Sequence, residues 1–330
     1  ITFLACLGWN VFGNFYSMDD SRTVLSCMES LRNGDYSVLQ PEGYIGAYKQ
    51  HLGLMTLFNL IFKITGTTNE FAVRMVNIIC VPVIVYSGYG ILKELISEYK
   101  IYIYYCMFML FCFPIFLYTP YVYGEVISNT AGMIFIWSAI CWIKRQRIGA
   151  WITLLVCSVV GFMARSNFMI LLIAFAIMTF LYTIKKRKVR IFICTISLFI
   201  ALAGTNTLNR LCYEHISGVK IDQGVPIVAW IAMGLNEYSE LGVGSYDGYN
   251  IATYANCDYN TEAAKAECMP FIRDRVRMFV GGIGRSAFSF FKEKALIQWN
   301  DPTVNCFMEN RNFIPDPLPI IGEIVVGEYY

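Results

Sequence analysis

The sequence predicts an all-α polytopic membrane protein, and three observations support that fold class. Of the 330 residues, 56% are hydrophobic and only 15% are charged, whereas about a quarter of the residues in a soluble domain are charged. Apolar runs of about 17–25 residues, the length that crosses a bilayer, recur over residues 1–208. The connections between these runs alternate between basic and non-basic composition. We therefore expect lipid, and not water, to surround most of this part of the chain.

Seven apolar segments are interpreted as membrane spans. They lie near 1–15, 72–92, 101–119, 126–143, 149–164, 167–184 and 190–208. Because Ile1 already lies inside an apolar run, we interpret the first segment as the remnant of a membrane helix and not as a signal peptide. We expect further spans beyond the last residue.

The basic residues of the membrane part indicate which side of the membrane each connection faces. They concentrate in three connections, 93–100, 143–147 and 185–190. The two connections between them, 119–125 and 164–167, contain Arg165 as their only basic residue. Because Lys and Arg favour the cytoplasmic side, the three basic connections are predicted inside. This orientation places 16–71 and the chain after about 209 outside.

The first predicted outer loop, 16–71, contains two helical patterns. Segment 20–33 has an apolar face and a charged face, which predicts a short amphipathic helix capped by Asp20 or Ser21. The apolar face comprises Val24, Leu25, Met28 and Leu31. Segment 52–66 is apolar but too short for a span, so we expect a second helix lying at the outer surface.

Residues 209–330 are predicted to form a small extracytoplasmic region. Their composition is polar and aromatic, and the clearest helical pattern covers 260–282. Cys257 and Cys268 could form a disulfide if this region lies outside the cytoplasm. The basic clusters of the chain lie between apolar spans, which argues against a nucleic-acid partner.

The adjacent carboxylates of Asp19 and Asp20 are the first candidates for chemistry. They follow the first span directly, on the predicted outer face. Such a pair can act as a general base with an orienting partner, or as two metal ligands. The competing interpretation is a helix cap beside a solvated acid.

Three further charges are predicted at the same outer face: Glu125, Arg74 and Arg165. An acid at a helix start is favoured by the helix dipole, and an arginine near headgroups can extend toward water, so each has a structural explanation. Charges at this depth are costly unless paired or solvated. Together they suggest a site for an anionic lipid, to which Lys49 and His51 could add a cation and a hydrogen-bonding group.

This arrangement resembles the GT-C superfamily of integral membrane glycosyltransferases, close to family 39 and the protein mannosyltransferases. The resemblance rests on the order of the elements: a first span, an acidic motif at Asp19 and Asp20, two juxtamembrane helices, Arg74, and Glu125 in the second outer loop. It implies a GT-C-type helical bundle in a bacterial cell membrane with its active site on the extracytoplasmic face. Many members have His-Pro-Pro where this chain has Gln50-His51-Leu52.

The resemblance also implies a reaction and its partners. A polyprenyl-phosphate-linked sugar is the donor, and a glycan, a lipid or a protein is the acceptor. Asp19 is then the base, Asp20 or Glu125 orients the acceptor or the base, and Arg165, with Arg74 or Lys49, binds the lipid phosphate. Some relatives need a divalent metal; the sequence establishes no cofactor.

Two other functions stay open at this point. A transporter or flippase would carry charged or broken helices near the membrane midplane, and few are evident here. A polysaccharide ligase of the cell envelope would share the substrates and the sidedness.

Overall fold

The computed structural model describes residues 1–13, 15, 17, 19–239 and 242–299. Within these residues the chain forms fifteen α-helices and no β-strand. In chain order they are α1 Thr2–Phe12, α2 Asp19–Arg32, α3 Tyr44–Ala47, α4 Leu52–Thr65, α5 Glu70–Leu95, α6 Tyr99–Leu110, α7 Phe113–Leu117, α8 Glu125–Arg145, α9 Ile148–Ala164, α10 Phe168–Lys186, α11 Val189–Ser217, α12 Ile227–Gly234, α13 Tyr249–Asn256, α14 Thr261–Gly281 and α15 Ala287–Trp299. Short 3-10 turns cover Ser37–Leu39 and Lys49–His51.

The predicted all-α fold class is confirmed for these residues. Four helices, α5, α8, α10 and α11, are long and apolar enough to cross a membrane. Two further apolar helices are shorter: α1 has 11 residues and α9 has 17. The chain therefore has the composition and the helix lengths of a membrane protein.

One predicted span is wrong as a continuous helix. Segment 101–119 forms α6 and α7, which are separated at Phe111 and Cys112. Pro114 lies in the first turn of α7, where its missing N–H is not needed, whereas inside a longer helix it would remove a hydrogen bond. The break explains why this segment is not among the four long apolar helices.

The chain divides into two compact units. The first comprises 1–29 and 50–213, and the second comprises 30–49 and 214–305, described up to residue 299. Segment 30–49 thus belongs with the later part of the chain. The predicted division at residue 208 stays a prediction.

The second unit is built around α12, α13 and α14. Ala229, Tyr254 and Cys268 are fully buried in its apolar core. Segment 30–49 joins this core through Ala47, whose carbonyl accepts a hydrogen bond from the backbone of Val225 (2.9 Å). The predicted helix over 260–282 is confirmed as α14. Cys268 and Cys257 are free thiols in the same core.

In the first unit, two of the predicted inner connections meet. Glu94 at the end of α5 accepts two hydrogen bonds from Arg145 at the end of α8, at 2.8 and 2.9 Å. Lys144 also contacts Glu94. Helix α5 and helix α8 therefore end on the same side, as the alternation of basic connections requires.

The amphipathic helix predicted at 20–33 is confirmed as α2. Val24, Met28 and Leu31 are buried, whereas Arg22 and Arg32 are exposed. The predicted cap is wrong: the helix begins at Asp19, so Asp20 and Ser21 lie inside its first turn.

The predicted short helix at 52–66 is confirmed as α4, which ends at Gly66 in a left-handed cap. Its 14 residues span only about 21 Å. It packs directly on α9: a Cβ added at Gly53 would lie 2.7 Å from the Met163 Cα. Backbone contact at this distance requires glycine.

Replacing Gly53 with Ala should destabilise the protein by about 1–3 kcal/mol, because the added methyl group meets backbone that cannot move independently. The matched control is Gly149→Ala in α9, where no atom lies within 4 Å of the new Cβ. That change should be neutral or stabilise the helix by up to about 1 kcal/mol. Thermal unfolding in detergent measures both, and equal midpoints for the two variants would contradict the close α4–α9 contact.

Candidate functional site

Six of the seven residues predicted for the site lie at one end of the first unit, among them Arg74 near the start of α5. Asp19 and Asp20 begin α2, Glu125 begins α8, Arg165 follows α9, and His51 precedes α4. Helices α5 and α8 both begin at this end. It therefore lies opposite the end of the unit where Glu94 of α5 contacts Arg145 of α8.

Tyr123 brings three of these residues together. Its hydroxyl donates to Asp20 Oδ2 at 3.3 Å and lies 3.1 Å from His51 Nε2. The Arg165 guanidinium carbon lies 4.6 Å from the centre of the Tyr123 ring. Tyr123 itself is only 5% exposed. In the sequence, nothing distinguishes Tyr123 among 22 tyrosines except its place two residues before Glu125.

Gly124 places this tyrosine against the end of α9. Its φ of 114° lies in the region that favours glycine, and a Cβ there would lie 2.6 Å from the Ala164 carbonyl oxygen. The close approach continues one turn later, where the Ser128 hydroxyl donates to the Gly161 carbonyl at 3.1 Å. The start of α8 is therefore held beside Arg165.

Arg165 and Glu125 form an ion pair with an N–O distance of 3.1 Å. Their side chains are 28% and 20% exposed, so both are largely withdrawn from water. Burial by itself lowers the pKa of Arg165, but the Glu125 carboxylate, followed by the phenols of Tyr123 and Tyr121, outweighs it and raises that pKa. Arg165 is thus a permanent cation at the edge of the site.

His51 is neutral at physiological pH. The imidazole is 7% exposed, and burial, together with the nearby charge of Arg165, lowers its pKa to about 4. A neutral imidazole offers one donor and one acceptor but no charge for a phosphate. This environment favours a hydrogen-bonding role for His51.

Arg74 lies at the same end, and its guanidinium bonds to backbone and to one acid. It donates to the Phe15 carbonyl and to Glu70 Oε1, each at 2.6 Å. Glu70 Oε2 accepts from the Ser17 backbone N–H at 3.0 Å. This ion pair therefore anchors the segment that leads into Asp19, and Arg74 is only 4% exposed.

The two adjacent acids differ in their environments. Both are exposed, but Asp20 is held by Tyr123 whereas Asp19 has a backbone φ of 49°. Left-handed backbone is uncommon outside glycine and is tolerated best by Asn and Asp. Such local strain concentrates at functional sites.

Aromatic side chains form a ladder beside the acids. The ring centroids of Tyr118 and Tyr121 are 5.4 Å apart, those of Tyr121 and Tyr123 are 5.7 Å apart, and His51 lies 5.3 Å from Tyr123. Tyr118 and Tyr121 are half-buried, so part of each ring faces solvent. Exposed aromatic faces of this kind can stack on a sugar.

Lys49, the remaining residue predicted for the site, belongs to the second unit. Among the described residues, no group of three His, Cys, Asp or Glu side chains could hold a metal ion. Asp19 and Asp20 thus supply two carboxylates without a third side-chain ligand of these types in the described part of the chain.

The fold and the site define an all-helical protein whose apolar helices could span a membrane, with a charged and aromatic cluster at one helix end. The chain matches no protein-family model, no curated protein and no solved structure.

The pKa of His51 predicts that stability falls with acidification. The unfolded chain binds a proton near pH 6.5 and the folded one near pH 4, so stability is complete above pH 6.5 and is lost as the pH falls toward 4. The loss should reach about 2 kcal/mol by about pH 5. His51→Gln removes this dependence, whereas His215→Gln, the matched control, should keep it. Thermal unfolding at neutral pH and at about pH 5 measures the difference, and an equal acid loss in His51→Gln would contradict the buried neutral imidazole.

Proposed function

We propose that this protein is a glycosyltransferase that moves a sugar from a polyprenyl-phosphate donor to an extracytoplasmic acceptor. The observation that supports this function best is a contact network. Tyr123 contacts both Asp20 and Arg165, and Arg165 pairs directly with Glu125. Acids that can activate a hydroxyl thereby lie beside a cation that can receive a phosphate. Glycosyl transfer from a lipid phosphate needs both at one place.

The proposed architecture is a GT-C-type helical bundle in a bacterial cell membrane, with the site on the outer face. The support is the distribution of charge along the first unit. The ends of α5 and α8 that meet at Glu94 carry the basic residues that favour the cytoplasm, and the site lies at the other ends of these helices.

The reaction is an inverting displacement. Asp19 takes the proton of an acceptor hydroxyl, and the hydroxyl oxygen forms a bond to the anomeric carbon of the donor sugar. The bond from that carbon to the phosphate oxygen breaks, and the phosphate leaves with the bonding electrons. Asp20 and Glu125 orient the acceptor and the base. Asp19 suits the role of base because it is exposed to an incoming acceptor.

Arg165 stabilises the leaving phosphate. Glu125 balances the charge of the Arg165 guanidinium before the donor binds, and the ring of Tyr123 also contacts this guanidinium. The phosphate competes with Glu125 for the guanidinium and gains negative charge as the bond breaks. Arg74 contributes through the segment before Asp19, since its side chain is buried and bonded to Phe15 and Glu70. The proposal does not depend on Lys49.

Asp19→Asn should lower sugar transfer from a polyprenyl-phosphate donor by at least about a hundredfold, because it removes the base. Asn is compatible with the left-handed backbone at this position, so the fold should be preserved. The matched control is Glu98→Gln, an exposed acid at the start of α6. Transfer is measured in lipid nanodiscs. Full activity in Asp19→Asn would exclude this base.

Membrane sidedness can be tested with two cysteine substitutions at exposed positions. Arg22→Cys lies in α2 near Asp19, and Ser97→Cys lies between α5 and α6. In intact cells, a membrane-impermeant maleimide should label Arg22→Cys and spare Ser97→Cys, as peptide mass spectrometry can determine at each site. The reverse pattern would place the acids in the cytoplasm and remove the proposed function.

A further inference from the structure

The order of the hydrogen bonds around Tyr123 follows from the chemistry of its neighbours. An ionised carboxylate only accepts hydrogen bonds, a phenol has one O–H, and a neutral imidazole has one N–H. The contact with Asp20 Oδ2 therefore requires the Tyr123 hydroxyl to donate its proton there. At the contact with His51 Nε2 the same oxygen can then only accept.

This order determines the tautomer of His51. Nε2 must carry the proton of the neutral imidazole, because the opposite tautomer would place two acceptors 3.1 Å apart. His51 donates to Tyr123, and Tyr123 donates to Asp20. A hydroxyl that accepts one hydrogen bond becomes a stronger donor in the next, so His51 strengthens the bond to the carboxylate.

We propose that Tyr123 is a positioning residue with two separable parts: its hydroxyl, supported by His51 Nε2–H, orients Asp20, and its ring holds Arg165. The effect on catalysis rests on the proposed function, whereas the order of the hydrogen bonds does not. Because its side chain is buried and contacts both Asp20 and Arg165, one residue holds both the acid side and the cation side of the site. Tyr123 touches no reacting atom itself.

The two parts can be separated by substitution. Tyr123→Phe keeps the ring beside Arg165 but removes the hydroxyl, which bonds to Arg165 as well as to Asp20, so kcat should fall about tenfold and the KM for the donor should rise by less than in Tyr123→Leu. Tyr123→Leu removes the ring as well, so the KM should rise further. Tyr86→Phe, a tyrosine in α5 whose ring contacts Trp137, is the matched control and should retain wild-type kinetics. An unchanged kcat in Tyr123→Phe would overturn the proposal.

A second measurement does not require activity. The chain has only two histidines, so nitrogen NMR of protein labelled with 15N-histidine gives a simple spectrum, and His215→Gln assigns it. His51 should appear as the neutral tautomer with the proton on Nε2, and Tyr123→Phe should change its signals. A proton on Nδ1, or identical His51 signals in Tyr123→Phe, would overturn the proposed order.

The two measurements distinguish the failure of this inference from the failure of the proposed function. If the wild-type protein transfers no sugar from a polyprenyl-phosphate sugar, the proposed function fails, and the His51 spectrum alone decides the role of Tyr123. If the wild type is active, both the kinetics and the spectrum must agree with the inference for it to stand.

Discussion

Compensation of the charge on Arg165 is the constraint on which the rest of the site depends. The guanidinium lies at the end of a helix with most of its side chain withdrawn from water, where an unpaired charge would be destabilising. Glu125 compensates it through an ion pair, and the electron-rich ring face of Tyr123 also contacts it. Once Tyr123 is held in this way, its hydroxyl lies where it reaches Asp20 and His51. The geometry of the acids thus follows from the burial of one cation.

Close backbone contacts make this compensation possible. Gly124 lets the chain pass against Ala164, and Gly53 lets α4 lie against Met163. Both contacts converge on the last turn of α9, the helix that Arg165 follows. A side chain at either glycine would separate elements that carry the site. The geometry of the site therefore depends on the close packing of these elements.

The two arginines at this end of the first unit have different environments. Arg165 is partly exposed and pairs with Glu125. Arg74 is buried, and its bonds to Phe15 and Glu70 hold backbone in place. The segment that Arg74 anchors leads directly into Asp19, whose left-handed backbone needs such support. A structural ion pair thus supports the backbone next to the acid that we propose as the base.

The sequence by itself determined the helical class, the amphipathic helix α2, the short apolar helix α4 and the alternation of basic connections. These properties are encoded locally, by apolar periodicity and by the spacing of charges along the chain. The candidate acids and Arg165 were also found this way, because charge beside an apolar span is conspicuous.

Only the tertiary structure decided which of these residues meet. It divided the predicted span 101–119 at Phe111 and Cys112, assigned segment 30–49 to the second unit, and engaged Arg74 with Glu70. It also showed that Tyr123 contacts His51 and Arg165, which are distant from it in sequence. Periodicity records which face of a helix is buried but not what it is buried against, and contacts between distant segments depend on how complete helices pack.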